Sequence, residues 1–283
     1  MPLAPHRRWV LPNAAGAGVP DGIPALVARI LAARGIPGPA MRSFLDGRLT
    51  LAGPPMLDLE KAVARLARAL AARERIVVYG DYDVDGIAGT AILVRAFGAL
   101  GLGVGAYIPN RYEEGYGLSV EALERLAAEG ARVVVSVDCG VTAVHEAEVA
   151  RRAGIDLIVT DHHHPPETLP DAYAVVNPRR PGDPSADRDL AGSGVALVLA
   201  RHLLGDAAFA AREDELLQLA ALATVADVVP LLGANRGIVR AGLEALNRAP
   251  LAGVRALVER AGLRLGRITA TDIAFGLAPR LNA

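Results

Sequence analysis

The chain has 283 residues, 52% of them apolar, enough for one large domain or two small ones around a sizeable core. Its formal net charge of −1 argues against a purely electrostatic nucleic-acid binder without excluding a local basic groove. No apolar run approaches the roughly 18 residues of a membrane span, MPLAPHRRWVLPN lacks the apolar segment of a secretory leader, and Cys139, the single cysteine, excludes an internal disulfide, all of which fits a cytoplasmic protein. Lys61 is the only lysine, so positive charge is nearly all arginine. A GC-rich genome explains that bias, but arginine also grips phosphate bidentately. An aromatic content of 4% speaks against a base-stacking platform.

Residues 1–57 carry scattered proline and glycine around one helical stretch, roughly Ile23–Arg34, ended by Gly35 and Pro37. They read as an N-terminal extension packing on the core. Leu59, Val63, Leu66 and Leu70 recur at helical spacing, which predicts a helix over Leu59–Arg73. Strands and helices then alternate: strand Ile76–Tyr79, helix Ile87–Leu100, strand Val104–Ile108, and a helix from an N-cap at Ser119 to Gly130. Strand Val133–Val137, helix Val144–Ala153 and strands Leu157–Thr160 and Ala174–Val176 follow. Continuous apolar runs separated by helices predict an α/β fold, a mainly parallel sheet with helices on both faces. From about residue 194 the pattern is helical, with Val195–Leu204, Glu213–Val225, Ile238–Asn247 and Val254–Ala261. The expected organisation is the extension over 1–57 and one catalytic domain over 58–283.

Three apolar strands end on chemistry-bearing residues: YGDYDVDG at 79–86, SVDCG at 136–140 and TDHHH at 160–164. Parallel α/β sheets carry their sites outside the carboxyl ends of their strands. Oxygen and imidazole donors without thiolates suit Mn²⁺ or Mg²⁺ better than a structural zinc. Asp81, Asp83 and Asp85 would point the same way from an extended segment and repel one another unless a cation binds. By itself the motif could equally be a solvated acidic turn. It also resembles the start of a calcium loop, but the twelfth position from Asp81 is Ile92 rather than a glutamate. Asp138 alone reads as a cap; beside the first motif it is a candidate to bridge two cations. Cys139 reads as a small packing residue.

Adjacent side chains cannot all face one ion, so Asp161, His162 and His163 must divide their roles. One histidine ligates, another holds a substrate phosphate, and Asp161 orients the ligand ring. His164 precedes Pro165 and points elsewhere. Asp227, in LATVADVVPL, reads on its own as a residue after a helix end. Asn110 and Arg111 follow a strand towards the same edge, where Arg111 is either a phosphate clamp or a solubilising residue. Gly192, Ser193 and Gly194 open a helix whose amides could receive a phosphate, or form a simple tight turn. Together these segments point to a two-metal phosphoesterase.

With them assembled, the chain resembles the DHH phosphoesterase superfamily, in its bacterial RecJ exonuclease branch. The resemblance runs from about residue 55 to the last residue. It rests on YGDYDVDG, IPNRYEEGYGL, SVDCG, TDHHHPP, NPRRPGD, LAGSGVAL, ATVADVVPL and GLAPRLNA, in the family's order. It implies metal ligation by Asp83, Asp85, Asp138, His162 and Asp227, with Asp138 shared between two Mn²⁺ or Mg²⁺ ions and His163 facing the scissile phosphate. Many members carry a histidine four residues before the D-x-D pair; here that position is Tyr79, and Asp81 is expected to supply the missing contact, directly or through water. Arg111, Arg280 and Asn282, with Ser193 and Gly194, are expected to bind substrate phosphate. Asp138, Asp161 and His163 are expected to carry catalysis.

The activity implied is 5′→3′ hydrolysis of single-stranded DNA to nucleotides by two-metal in-line water attack, in DNA repair and recombination. The alternatives are a phosphodiesterase of very short oligonucleotides or cyclic dinucleotides, and a non-catalytic DNA-binding relative. The implied partners are single-stranded DNA and a helicase or single-strand-binding protein, for a monomer without membrane contact. Members of the branch continue into a second domain and an OB-like domain, so this sequence is expected to be the catalytic core alone.

Overall fold

Four runs of apolar residues become strands because both of their faces can be buried, which a parallel sheet between helices provides, and a short, largely exposed strand adds to one edge. The computed structural model describes residues 20–51 and 54–282. Residues 1–19 of the expected extension, and 52, 53 and 283, lie outside the described residues. In chain order the elements are α1 (Ala25–Ala33), α2 (Gly38–Asp46), α3 (Leu59–Ala72), β1 (Arg75–Gly80), α4 (Val84–Ala99), β2 (Gly105–Tyr107), α5 (Val120–Ala128), β3 (Ala131–Val137), α6 (Val144–Arg152), β4 (Asp156–Thr160) and β5 (Ala174–Val176). The helical part follows: α7 (Gly192–Leu204), α8 (Asp206–Ala210), α9 (Glu213–Ala226), α10 (Gly233–Arg248), α11 (Ala252–Arg260), α12 (Ala270–Asp272), a π-helical turn (Ile273–Leu277) and α13 (Ala278–Leu281).

The strands form one sheet in the order β2-β1-β3-β4-β5, every pair parallel. Alternate residues feed two cores. Ile76, Val78, Val133, Val135 and Ile158 pack with residues of α3, α4 and α7, such as Leu66, Phe97 and Leu197. Val77, Tyr79, Val134, Leu157 and Val159 pack with Leu123 and Leu126 of α5 and Ala147 of α6. Each large apolar side chain hidden this way contributes about 1.5–3 kcal/mol. The chain divides into two units, residues up to 48 and residues from 49 onward. In the first, α1 and α2 close on Ile23, Ala28, Leu31, Ile36 and Met41. Among the described residues no helix is long and apolar enough to cross a membrane.

The alternation of strands and helices is as the sequence predicts, and the differences lie at helix starts. Helix α2 is absent from the sequence reading because Pro37-Gly38-Pro39 looks like a break. Proline in a first helical turn costs no hydrogen bond, since the N–H it lacks has no partner inside the helix. Helix α4 begins at Val84, not Ile87, because the Asp83 carboxylate accepts the N–H groups of Asp85 (2.8 Å) and Gly86 (3.0 Å). Helix α7 begins at Gly192, where the GSG segment was read as a helix opening, three residues ahead of the periodic stretch from Val195, and α10 begins at Gly233, not Ile238. The helical stretch from Ala270 was also missed, although Thr269 and Asp272 form a reciprocal capping box legible as T-x-x-D.

Two helices of this fold sit unusually close to strand ends. A Cβ on Gly86 would lie 2.4 Å from both the backbone nitrogen and the carbonyl oxygen of Asp81. Gly98, at the far end of the same helix, has nothing within 4 Å of such a Cβ. Gly86→Ala should therefore lower stability by roughly 1–3 kcal/mol through overpacking. Gly98→Ala should raise it by up to about 1 kcal/mol through helix propensity. Urea denaturation of the two variants checks this, and equal effects would refute the close approach of α4 to the end of β1.

Candidate metal centre

Hydrogen bonding between strands continues one residue past the sheet. The Asp81 N–H donates to the Val137 carbonyl (3.1 Å), the Asp138 N–H to Thr160 (3.0 Å) and the Asp161 N–H to Val176 (3.1 Å). Because Gly80, Val137, Thr160 and Val176 share one register, Asp81, Asp138 and Asp161 fall in a row along the carboxyl edge. Asp138 has φ 62°, in the left-handed region, which aspartate tolerates better than most residues. Gly192 lies directly against it: a Cβ there would come within 2.7 Å of the Asp138 Cβ and Oδ1.

Donor atoms gather in three overlapping groups, each with its atoms within 4.8 Å of one another: Asp81, Asp83 and Asp138; Asp85, His162 and Asp227; Asp138, His162 and His163. His162 Nε2 lies 3.1 Å from Asp138 Oδ1, 3.6 Å from Asp227 Oδ2 and 3.9 Å from Asp85 Oδ2. Every metal-ligating residue expected from the sequence is therefore in one cluster, and Asp138 belongs to both sides of it. Asp85 does not extend a row with Asp81 and Asp83, as an extended motif would have it. It lies in the first turn of α4 and turns towards α7. Tyr79 does not face the cluster; it is buried and its hydroxyl donates to the Gly117 carbonyl (3.0 Å).

The electrostatics of the cluster call for cations. Asp81 Oδ1, Asp138 Oδ1, Asp227 Oδ2 and both ring nitrogens of His162 are buried without a hydrogen-bond partner. The 3.1 Å contact between His162 Nε2 and Asp138 Oδ1 is not in hydrogen-bond geometry, so both atoms aim at shared space. Burial raises the Asp138 carboxyl well above the usual range, and the charges of Asp85, Asp83, Asp161 and Asp227 add to the effect. Burial, with Asp85 and Asp83 nearby, lifts Asp227 to about 7. Burial lifts Asp81 to about 6. Two like charges 4 Å apart oppose each other by about 4 kcal/mol at an effective dielectric constant of 20. A set of carboxylate oxygens and imidazole nitrogens left unpaired in this way fits hard divalent cations such as Mn²⁺ or Mg²⁺.

Asp161 stands apart from the cluster's repulsion. Burial alone would raise its carboxyl, but the His163 ring and the N–H groups of Val141 and His163 outweigh burial and hold it below the usual range. Its Oδ1 accepts the His162 N–H (2.7 Å) and meets His163 Nδ1 (2.8 Å). Asp161 therefore orients His163, not the ligand ring of His162 as expected. The reason is local: the carboxylate turns back over the next two residues, while the His162 ring is sent the other way into the cluster. Bound to Asp161, the His163 imidazole has a raised pKa.

The residues expected to bind phosphate are dispersed. Ser193 and Gly194 are buried, and the anion at the start of α7 is the Asp85 carboxylate, which accepts the N–H groups of Gly192 (2.6 Å) and Ser193 (2.9 Å). The N–H groups of Gly192 and Ser193 are thus already taken by Asp85. The Asn282 side-chain oxygen accepts the Val84 N–H (2.9 Å) and so caps α4. Arg280 donates to the Gly276 carbonyl one turn back. Arg111 is exposed and lies over the Tyr82 ring, 4.5 Å from its centroid.

Sequence reasoning missed four contributors. Arg179, held by the Arg188 carbonyl (3.1 Å) and Asp189 (3.3 Å), lowers the Asp227 carboxyl by its charge. Asn177 donates to the His163 carbonyl (2.9 Å). Tyr116 stands beside His163, and Tyr82 meets the Tyr116 ring. Only Tyr116 had a local signal, its position between two glycines.

The raised carboxyls fix a pH dependence. A carboxyl with a higher pKa folded than unfolded stabilises the fold at low pH, and that contribution is lost as pH rises through the folded value. Asp81 and Asp227 lose theirs between the unfolded value of 3.8 and about 6 and 7. Asp85 and Asp138 shift in the same direction, and His162, whose pKa burial lowers, opposes them. In chelator the melting temperature should fall from pH 5 to pH 8, and Mn²⁺ should restore it at pH 8. Circular dichroism melts test this; a cation-free protein that is more stable at pH 8 would contradict it.

The family described as "DHH family, N-terminal domain" matches residues 75–224. The chain is 40% identical over 264 residues to the single-stranded-DNA-specific exonuclease RecJ of Bacillus subtilis, covering 92% of this chain and 33% of that protein. To the enzyme of the same name in Escherichia coli it is 39% identical over 283 residues, covering 94% and 48%. A crystal structure of exonuclease RecJ bound to manganese superposes with a TM-score of 0.73 at 40% identity, covering 83% of this chain and 58% of that one. The RecJ–Mn²⁺ structure from Thermus thermophilus gives 0.69 at 34% identity, covering 91% and 39%. The chain thus spans half or less of the length of these curated relatives. The family match takes in more than half of the sequence, with all three carboxylate-bearing strand ends inside it, and the chain belongs to the DHH family.

Proposed function

We propose that this chain is the catalytic part of a 5′→3′ exonuclease that hydrolyses single-stranded DNA to nucleotides in repair and recombination, with residues 58–283 as the catalytic domain. One observation carries the reading: unpaired donors of Asp81, Asp138, His162 and Asp227 converge beside His163, a ring held ready by Asp161. Similarity to proteins named as single-stranded-DNA-specific exonucleases, over more than nine-tenths of this chain, supports the substrate. Charge distribution supports a nucleic-acid path as well. Residues 228–283 hold eight arginines against three carboxylates, an excess hidden by the net charge of −1. The reading further takes a cytoplasmic monomer, with a helicase or single-strand-binding protein supplying substrate.

In this reading Asp81, Asp83 and Asp138 hold one cation and Asp85, Asp138, His162 and Asp227 the other. Bound Mn²⁺ or Mg²⁺ supplies positive charge to the phosphate and lowers the pKa of the attacking water. The chain's own groups do the rest. His163, kept in orientation by Asp161, which also raises its pKa, donates to an oxygen of the phosphate. Water attacks phosphorus in line and gives up a proton to solvent, the P–O bond to the departing nucleotide breaks, and the leaving oxygen takes up a proton from solvent. Asp85 is fixed by two N–H groups of α7, so the donor set keeps its geometry through turnover.

Asp138→Asn keeps the shape and the left-handed backbone but removes the shared charge. Its kcat should fall by more than the roughly 10–100-fold typical of losing an outer partner of a metal ligand, while its melting temperature in chelator should not fall. Near wild-type turnover in saturating Mn²⁺ would refute the shared-ligand role. Direction is tested with 5′- and 3′-labelled single strands in Mn²⁺. The 5′ label should appear at once as mononucleotide, and the 3′ label only in progressively shorter strands. Hydrolysis of dinucleotides with long strands left intact would favour the short-substrate phosphodiesterase instead.

A further inference from the structure

Two aromatic rings at the mouth of the centre, exposed Tyr116 and half-buried Tyr82, belong to neither core. Tyr116 is 54% exposed, yet its position is tightly set. Its hydroxyl donates to the Asp138 carbonyl (3.2 Å) and lies 3.4 Å from His163 Nδ1. Its ring meets the His163 ring edge-on at 6.0 Å and the Tyr82 ring edge-on at 6.3 Å. Tyr82 in turn carries the Arg111 guanidinium, which has no carboxylate partner among the described residues. His163, Tyr116, Tyr82 and Arg111 thus form one continuous wall leading from the centre to solvent.

The backbone is built for this wall. Gly115 (φ 78°) and Gly117 (φ 86°) flank Tyr116, and neither is packed, since a Cβ on either would meet nothing within 4 Å. The two glycines are required by conformation alone. The Gly117 carbonyl is tied down by the Tyr79 hydroxyl, so the turn that presents Tyr116 is anchored to β1. A single exposed ring is unremarkable on a protein surface, but rings in mutual contact beside a catalytic imidazole form a binding surface. Aromatic rings accept any base, because every base has a π-face. That suits removal of nucleotides without regard to sequence.

We propose that Tyr116, braced by Tyr82, stacks the base of the terminal nucleotide whose phosphodiester lies at His163, and so sets the enzyme's preference for a base-bearing end. This rests on the exonuclease reading. The test compares kcat and KM of the chain in Mn²⁺ on a single strand and on the same strand with an abasic 5′-terminal nucleotide. Wild type should favour the base-bearing end by roughly 5- to 100-fold in kcat/KM, the range one base–aromatic stack supplies. Tyr116→Phe, which keeps the ring and loses the hydroxyl, should retain that ratio; Tyr116→Leu should bring it near one. Thermal melts confirm that the variants are folded, and a structural defect alone would slow both substrates equally and leave the ratio intact. A wild type without preference, or a Leu variant that keeps the preference, would overturn the stacking role. Failure of wild type to cleave either strand would sink the exonuclease reading and this proposal with it.

Discussion

Repulsion among carboxylates at the carboxyl edge of the sheet is the constraint that the rest of the domain answers. Five aspartates of the cluster, Asp81, Asp83, Asp85, Asp138 and Asp227, offer ligand atoms to groups that overlap at Asp138 and His162. Holding them there without cations is unfavourable, so the fold has to secure each by its backbone. Strand register does this for Asp81 and Asp138, whose N–H groups extend the ladder beyond the last strand residue. The start of α4 does it for Asp83 and Asp85, and the end of α9 for Asp227. Contacts of this kind are independent of the side-chain charge and survive its titration.

The same constraint explains why two helices crowd the edge. A helix start carries N–H groups without internal partners and a partial positive charge. The N–H groups at the start of α7 are spent on the Asp85 carboxylate, which joins residues 107 and 108 positions apart in the chain. Gly192 allows that approach because any side chain there would strike Asp138. The start of α4 serves Asp83 in the same way, with Asn282 taking the N–H of Val84. Helix dipoles therefore offset part of the repulsion within the protein, and the unpaired oxygens mark what is left for cations.

Most of this was legible in the sequence because it is local. Apolar runs such as IVVY and VVVSV announce buried strands, and a carboxylate directly after each places itself on the edge. The strand-end residues of the cluster followed from that, whereas Asp227, which lies after a helix, came only with the family resemblance. What could not be read were relations between distant segments. Nothing near Ala191 signals that the carboxylate held at the start of α7 is Asp85, which belongs to α4. Nothing near Ser193 shows that its N–H is already taken, and so phosphate binding was expected there. Asp161 was assigned to the wrong histidine because a one-residue choice between His162 and His163 depends on which way the backbone turns after β4. Low aromatic content was a sound statistic that said nothing about location: of six tyrosines in the chain, one stands beside His163 and a second meets its ring.

Location also separates two kinds of charge control around the His163 imidazole. Asp161 lies outside the cluster's unpaired set and has its oxygens filled by N–H groups of the chain, so its charge is stable and is passed to His163. Asp138, only one strand away in the same row, has an oxygen left open and a pKa driven upward. Two aspartates at equivalent strand ends thus acquire opposite chemistry from their neighbours rather than from their own position in the sheet. The difference traces to the loops that follow them. The chain after Asp161 turns its N–H groups inward to the carboxylate, while the left-handed turn at Asp138 directs the carboxylate away from its own backbone and into the centre. A parallel sheet supplies equivalent edge positions, and the backbone conformation at each decides whether an aspartate there orients a ring or faces a cation.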